Sequence, residues 1–400
     1  MNTKIRLTLM NFLQYAVWGA WLISLGAYLG NTLKFDGLQI GSFFATMGIA
    51  SLFMPAVMGI IADRWIPAQR LLGLCHLFAA GFITLAATRT DYNSLYTLVL
   101  LSVMFYMPTI ALSNSVAYNA LEKAGLDTVT HFPPIRVWGT VGFICAMWVV
   151  DLGKMGLSAT QLYFSATLGL ILGLYSFTLP NCPINRSGGG KSIVDLLGLR
   201  AFALFKQRKM AIFFIFSMLL GMSLQITNAF ADGYIKSFGD TGIHGAKYLG
   251  TFGVEHSTIL ISLSQISETL CILLIPFFLK RFAMFAWVLR FALLGAGNPG
   301  PGVWMFILSM IVYGVAFDFF NISGSLFVEK ETSAAIRSSA QGVFMIMTNG
   351  LGALIGSYLA GWVVNHYGWP LSWYLFAGFS LVVAIVFAVI FKYKHDPNRI

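Results

Sequence analysis

Long apolar runs, broken by short segments that carry charge, proline or glycine, recur along the whole chain. A bilayer core about 30 Å thick needs roughly 20 apolar residues per helical crossing, and these runs are of that length. The pattern predicts twelve helices, near 7–29, 38–62, 70–88, 94–120, 134–150, 160–180, 210–232, 256–279, 282–297, 303–327, 338–364 and 371–391. The alternation of a membrane β-barrel is missing, so the predicted fold class is an all-α membrane protein.

The breaks organise the chain. The longest internal polar stretch, Asn181 to Lys209, is rich in Lys and Arg and contains Ser187-Gly188-Gly189-Gly190. After it, Val194, Leu197, Ala201, Leu204 and Phe205 recur at helical spacing, which predicts an interfacial amphipathic helix over Ser192 to Phe205. The stretch divides the chain into six-helix halves at 1–180 and 210–400, with 181–209 as a cytoplasmic linker. A faint echo supports two parallel halves: Leu13-Gln14, Tyr28 and Leu33-Lys34-Phe35 against Leu224-Gln225, Tyr234 and Ile235-Lys236-Ser237-Phe238. The predicted ninth helix is short, at about 24 Å for a rise of 1.5 Å per residue, and Arg290 sits in its middle.

Composition narrows the class further. Residues are 58% hydrophobic and 10% charged, with a mean hydropathy of +0.77. Soluble domains carry about 25% charged residues, so a soluble enzyme is excluded, as is a disordered or collagenous chain. The net charge of +10 would suit a nucleic-acid partner, but its distribution argues otherwise. With the amino terminus inside, only Lys34, Arg89, Lys154, Lys236 and Lys247 fall outside and Arg136 and Arg290 lie within spans. The remaining Lys and Arg are cytoplasmic, the positive-inside bias of a lipid-inserted protein. Both termini are then cytoplasmic. The apolar run after Lys4 and Arg6 reads as a retained first helix rather than a signal peptide. Cys75, Cys145, Cys182 and Cys271 are scattered, and the six histidines lack metal-ligand spacing.

Side chains that are costly in hydrocarbon point to chemistry. Arg136, Glu268, Arg290 and Asp318 fall inside predicted spans and are expected to face a polar cavity. Arg136, Thr140 and Phe143 share one face at i, i+4 and i+7. Gln225 and Asn228 are three apart, as are Gln265 and Glu268; Tyr313 and Phe317 are four apart, with Asp318 and Asn321 alongside. Each has a plainer reading. Paired amides also serve as interhelical glue, Arg136 can snorkel to headgroups, Tyr313 and Phe317 fit ordinary packing, and either carboxylate can pair with Arg290 or Arg136.

Taken together these groups suit a polar, uncharged, ring-containing solute. Amides read a base edge, aromatics stack, and carboxylates accept from ribose hydroxyls. Desolvation raises the pKa of a buried carboxylate, which suits it to carrying a proton. Sugars could use the same groups. Gly190-Lys191-Ser192 resembles the end of a P-loop, but Asn185 stands where the first glycine is required. No Gly-x-Ser-x-Gly or His-Glu-x-x-His occurs, so the chain is not read as an enzyme.

The segments Phe132 to Phe143, Leu224 to Asn228, Ser264 to Leu270 and Asp318 to Ser325 closely resemble the nucleoside:H⁺ symporter family of the major facilitator superfamily. Phe12-Leu13-Gln14, Trp18-Gly19 and the run Gly59 to Trp65 fit as well. The resemblance implies twelve helices in two bundles, alternating access, and a nucleoside importer of the bacterial inner membrane that acts as a monomer. It uses a proton as coupling ion and needs no other cofactor. Family binding positions carry over to Arg136, Thr140, Phe143, Gln225, Asn228, Gln265, Glu268, Tyr313, Phe317 and Asp318, with Glu268 and Asp318 as candidates for proton coupling. From Arg281 to Ala286 the chain lacks part of the family's basic connection. Two alternatives stay open: a sugar or oligosaccharide symporter on the same fold, and a nucleoside receptor that transports nothing.

Overall fold

A computed structural model describes residues 2–184, 199–240, 246–278, 283–332 and 337–391. The chain falls into two compact units, Met1–Lys191 and Ser192–Ile400. In the first lie α1 (Thr3–Gly19), α2 (Leu25–Ala27), α3 (Gly37–Arg64), α4 (Ala68–Ala87), α5 (Tyr92–Lys123), α6 (Thr128–Leu152) and α7 (Thr160–Ser176). In the second lie α8 (Arg208–Ser237), α9 (Phe252–Glu255), α10 (Ser257–Phe278), α11 (Ala283–Ala296), α12 (Val303–Glu331), α13 (Arg337–Met345), α14 (Ala353–Tyr367) and α15 (Leu371–Ile390). Among the described residues, seven helices are long and apolar enough to cross a membrane.

Local chemistry explains where the helices of the first unit start and stop. Asp36, Asp91 and Asp127 each cap a helix, accepting from the amides of Gln39, Ser94 and Thr130 at 2.8 Å. A carboxylate there satisfies an orphan donor and meets the positive end of the helix dipole. Hydrogen bonds from the Ser94 side chain and amide hold the Asp91 carboxyl below the usual carboxylate range. At the end of α5 the chain closes a Schellman turn: Leu126 N–H donates to Leu121 O and Gly125 N–H to Glu122 O, both at 3.0 Å. Gly125 takes φ +68°, which an ordinary side chain would resist.

Helices approach most closely where glycines leave their surfaces bare. A Cβ at Gly142 would lie 2.1 Å from the Phe12 carbonyl oxygen, and one at Gly19 would lie 2.4 Å from that of Phe143, so α1 and α6 touch main chain to main chain. In the second unit Gly221 meets the backbone of Thr348, and Gly356 that of Met222, bringing α14 and the π-helical turn Ile346–Gly352 against α8. Apolar side chains fill the remaining space. Leu7, Leu72, Val116 and Leu172 centre one core, and Phe213, Phe214, Val328 and Phe344 another.

Several expectations about elements are corrected. The first predicted helix is three segments: α1, α2 and a π-helical turn over Tyr28–Thr32. The sixth predicted helix begins at Thr128 rather than near 134, because Asp127 caps it, and Pro133 and Pro134 therefore lie inside it. The seventh predicted helix ends at Ser237 rather than near 232, so Asp232 and Lys236 share its last turns. The eighth coincides with α10, Ser257–Phe278, which the short α9 precedes, and the eleventh is α13, a π-helical turn and α14. The proposed amphipathic helix falls partly on residues 185–198, outside the described residues; its end is a 3-10 helix over Leu199–Lys206, where Phe202 stacks on Phe205. The short ninth crossing is α11, with 14 residues, and residues 279–282 before it lie outside the described residues.

Candidate functional site

In the first unit the polar groups gather on α1, α4, α5 and α6. Gln14 sits at their centre. Its amide donates to Thr109 Oγ1 at 2.7 Å, its Oε1 lies 2.8 Å from His76 Nε2, and its carbonyl accepts from the Tyr106 hydroxyl at 2.8 Å. Gln14, His76 and Thr109 are each fully buried. Apolar walls surround these groups, so they pair with one another, although His76 Nδ1 has no hydrogen-bond partner among the described residues. On the next residue of α1 the Tyr15 ring supports Arg136, whose guanidinium carbon lies 4.0 Å from the ring centre. Gly139 makes the room: a Cβ there would collide with both Tyr15 and Arg136.

Arg136 is half-buried, and Thr140 is half-buried one turn further along α6. Phe143 is nearly enclosed, with Trp18 edge-on at 6.3 Å. Arg136 and Phe143 therefore sit beside the Gln14 network, through Tyr15 and through Trp18, which packs on Tyr106. That network is what sequence reasoning missed. His76 reads in the sequence as one of six dispersed histidines, although Gln14, His76 and Thr109 each place a polar side chain within an apolar run.

In the second unit, Asn228 Nδ2 donates to Gln225 Oε1 at 3.0 Å, which pairs the two amides along one side of α8. Gln265 and Glu268 follow each other on α10 and are half-buried. Tyr313, on α12, is 4% exposed and lies between Arg290, 4.5 Å from its ring centre, and Trp287, edge-on at 6.1 Å. Phe317 and Asp318 continue α12, but their side chains lie outside the described residues.

Arg290 is not paired with a carboxylate among the described residues; Nη1 donates to Ser309 O at 2.8 Å and lies 3.4 Å from Ser264 Oγ. A second buried ionic group went unforeseen. Asp232 is 1% exposed and receives Lys236 at 2.7 Å, Ser257 at 2.5 Å and Thr258 at 3.2 Å. Asp232 is the last residue of the predicted span 210–232, and its partner Lys236 lies beyond that span. Among the described residues no cluster of His, Cys, Asp and Glu could hold a metal ion.

A family model described as Nucleoside H+ symporter matches residues 1–396. The chain belongs to that family. It is 49% identical over 410 residues to the nucleoside permease NupG of Escherichia coli K12, an alignment that covers 99% of this chain and 97% of that one. To the xanthosine permease of the same organism it is 48% identical over 415 residues, covering 100% and 98%. The crystal structure of the nucleoside transporter NupG matches with a TM-score of 0.90 at 49% identity, over 98% of this chain and 100% of that one. A D-xylose–proton symporter matches at TM-score 0.73 with 13% identity, a likeness of fold alone. As a nucleoside H⁺ symporter, the chain is a multi-pass membrane transporter with the major facilitator fold, not an enzyme.

Proposed function

We propose that this chain imports nucleosides together with protons across a bacterial inner membrane, as a monomer with both termini in the cytoplasm. The observation that carries the reading is 49% identity, over 99% of the chain, with a permease named for nucleosides. Gln225, Asn228 and Gln265 read the base, and Phe143 and Phe317 pack on the rings. Glu268 and Asp318 hold ribose hydroxyls, and at least one of them takes up the coupled proton. Thr140 and Tyr313 complete the contacts, and Arg136 favours the ionised form of a nearby carboxylate. Loading substrate and proton together neutralises a carboxylate and lowers the cost of the conformational change.

The test is uptake into proteoliposomes under an imposed pH gradient. Uridine, adenosine and xanthosine are the substrates, because the nucleoside and xanthosine permeases are matched at 49% and 48% identity. Uptake of at least one, abolished by a protonophore, is expected. Accumulation that survives the protonophore overturns symport. Competition by ribose or lactose with none by nucleosides would move the substrate class to sugars. Glu268→Gln and Asp318→Asn are each expected to lower uptake, and normal uptake in both overturns their roles.

A further inference from the structure

Arg290 lies two turns into α11 with 2% of its surface exposed. A guanidinium taken out of water is costly to keep unless its partners are well placed. Here those partners among the described residues are neutral. They are the Ser309 carbonyl at 2.8 Å, the Ser264 hydroxyl at 3.4 Å, and the Tyr313 ring face at 4.5 Å. Among the described residues the Nε–H has no hydrogen-bond partner. The contact is reciprocated, since Ser309 Oγ donates back to the Arg290 carbonyl at 3.0 Å. An apolar side chain of similar volume would fill this space without leaving a donor unmet.

What the cation touches suggests why it is there. Ser264 precedes Gln265 and lies one turn before Glu268 on α10, while Tyr313 stands on α12. A single guanidinium therefore spans the two helices that carry half of the assigned contacts, and it lies over the ring of one of those contacts. We propose that Arg290 is a positioning residue that fixes the Tyr313 ring, and the Gln265 turn of α10 beside it, in the arrangement that binds nucleoside. This rests on the functional reading above, in which Tyr313 and Gln265 meet the substrate. The planar, forked guanidinium can stack on a ring and donate to a carbonyl at once, whereas a lysine ammonium holds one position and cannot do both.

The experiment measures equilibrium binding of uridine and adenosine to purified full-length protein by calorimetry, with the thermal unfolding midpoint followed in parallel. The variants are Arg290→Lys, Arg290→Gln, Tyr313→Ala and the double variant Arg290→Gln/Tyr313→Ala. Arg290→Gln is expected to weaken binding about tenfold, the scale of a desolvated cation–ring contact. Arg290→Lys is expected to lose as much despite keeping its charge. In the Tyr313→Ala background, Arg290→Gln is expected to change affinity no further. Should Arg290→Gln fail to fold, Arg290→Lys carries the comparison. Additive losses in the double variant, or wild-type affinity in Arg290→Lys, overturn the proposal alone. A wild-type protein that binds no nucleoside overturns the functional reading, and this proposal with it.

Discussion

His76 Nε2 and Gln14 Oε1 lie 2.8 Å apart, and neither residue has any exposed surface. The bond joins α4 to α1 inside the first unit, at the level where Gln14 also reaches Thr109 on α5. Gln14→Leu is expected to leave the imidazole nitrogen and the Thr109 hydroxyl without this partner, at a cost of about 1–3 kcal/mol. His76→Leu alone should cost a similar amount. The double variant should lose less than the two added together, because both partners are then apolar. Thermal unfolding of the three variants in detergent checks this; strict additivity would mean that the bond does not couple the helices.

The cation–ring contact next to it is a matter of binding. Tyr15→Phe keeps the ring under Arg136 and should leave uptake near normal. Tyr15→Leu removes it, and since such a contact at a half-exposed site is worth about 0.5–1 kcal/mol, the nucleoside KM should rise roughly two- to fivefold. Initial rates of uptake at varied substrate distinguish the two. Equal KM values in both variants would show that Arg136 does not depend on the ring.

Asp232 and Lys236 form a pair whose carboxylate is 1% exposed. Removing one member of a buried pair strands the other, so Lys236→Met is expected to lower stability by about 3–5 kcal/mol. Asp232→Asn/Lys236→Met, which leaves no lone charge, should recover much of that loss. Unfolding midpoints of the single and double variants decide the point, since a buried pair predicts recovery and a solvated one predicts none.

Asp91 offers a pH test outside the membrane-spanning segments. Its folded carboxyl titrates below its usual range because Ser94 holds the charged form. The cap therefore contributes fully above the unfolded carboxylate pKa and fades as pH falls through the lower folded value. Wild type should unfold at a higher temperature than Asp91→Ala at neutral pH, and the two midpoints should converge as pH falls through the lowered folded value. A difference that stayed constant with pH would show that the charge contributes nothing to the cap.

Much of this was legible in the sequence because the bilayer enforces one rule on every span. Runs such as 94–120 must be helical wherever they meet lipid, since every backbone donor needs an internal partner. The structure extends that run only to Tyr92–Lys123. What the rule does not encode is how helical bonding is interrupted inside a span. The π-helical turns at Tyr28–Thr32 and Ile346–Gly352 leave no composition signal. The predicted start of the sixth helix at 134 falls on a proline, a favoured first position, whereas Asp127 caps the helix at Thr128 and leaves Pro133 and Pro134 inside it. Of the site, the face of Arg136, Thr140 and Phe143 and the amide pair on α8 could be read from spacing. Gln14 with His76, and Asp232 with Ser257, join residues far apart in the chain, and spacing within one helix is silent about those.

The bare glycine contact between α1 and α6 bears on how a transporter of this kind can change its cargo. Where two rods come closest through their peptide groups, as at Gly19 and Gly142, their separation there is set by covalent geometry and not by whichever rotamers happen to line the interface. Side chains on their other flanks can then be exchanged, one at a time, without altering the gauge of the frame. Permeases with distinct names could diverge in just that way, refurnishing the walls around an inherited spacing.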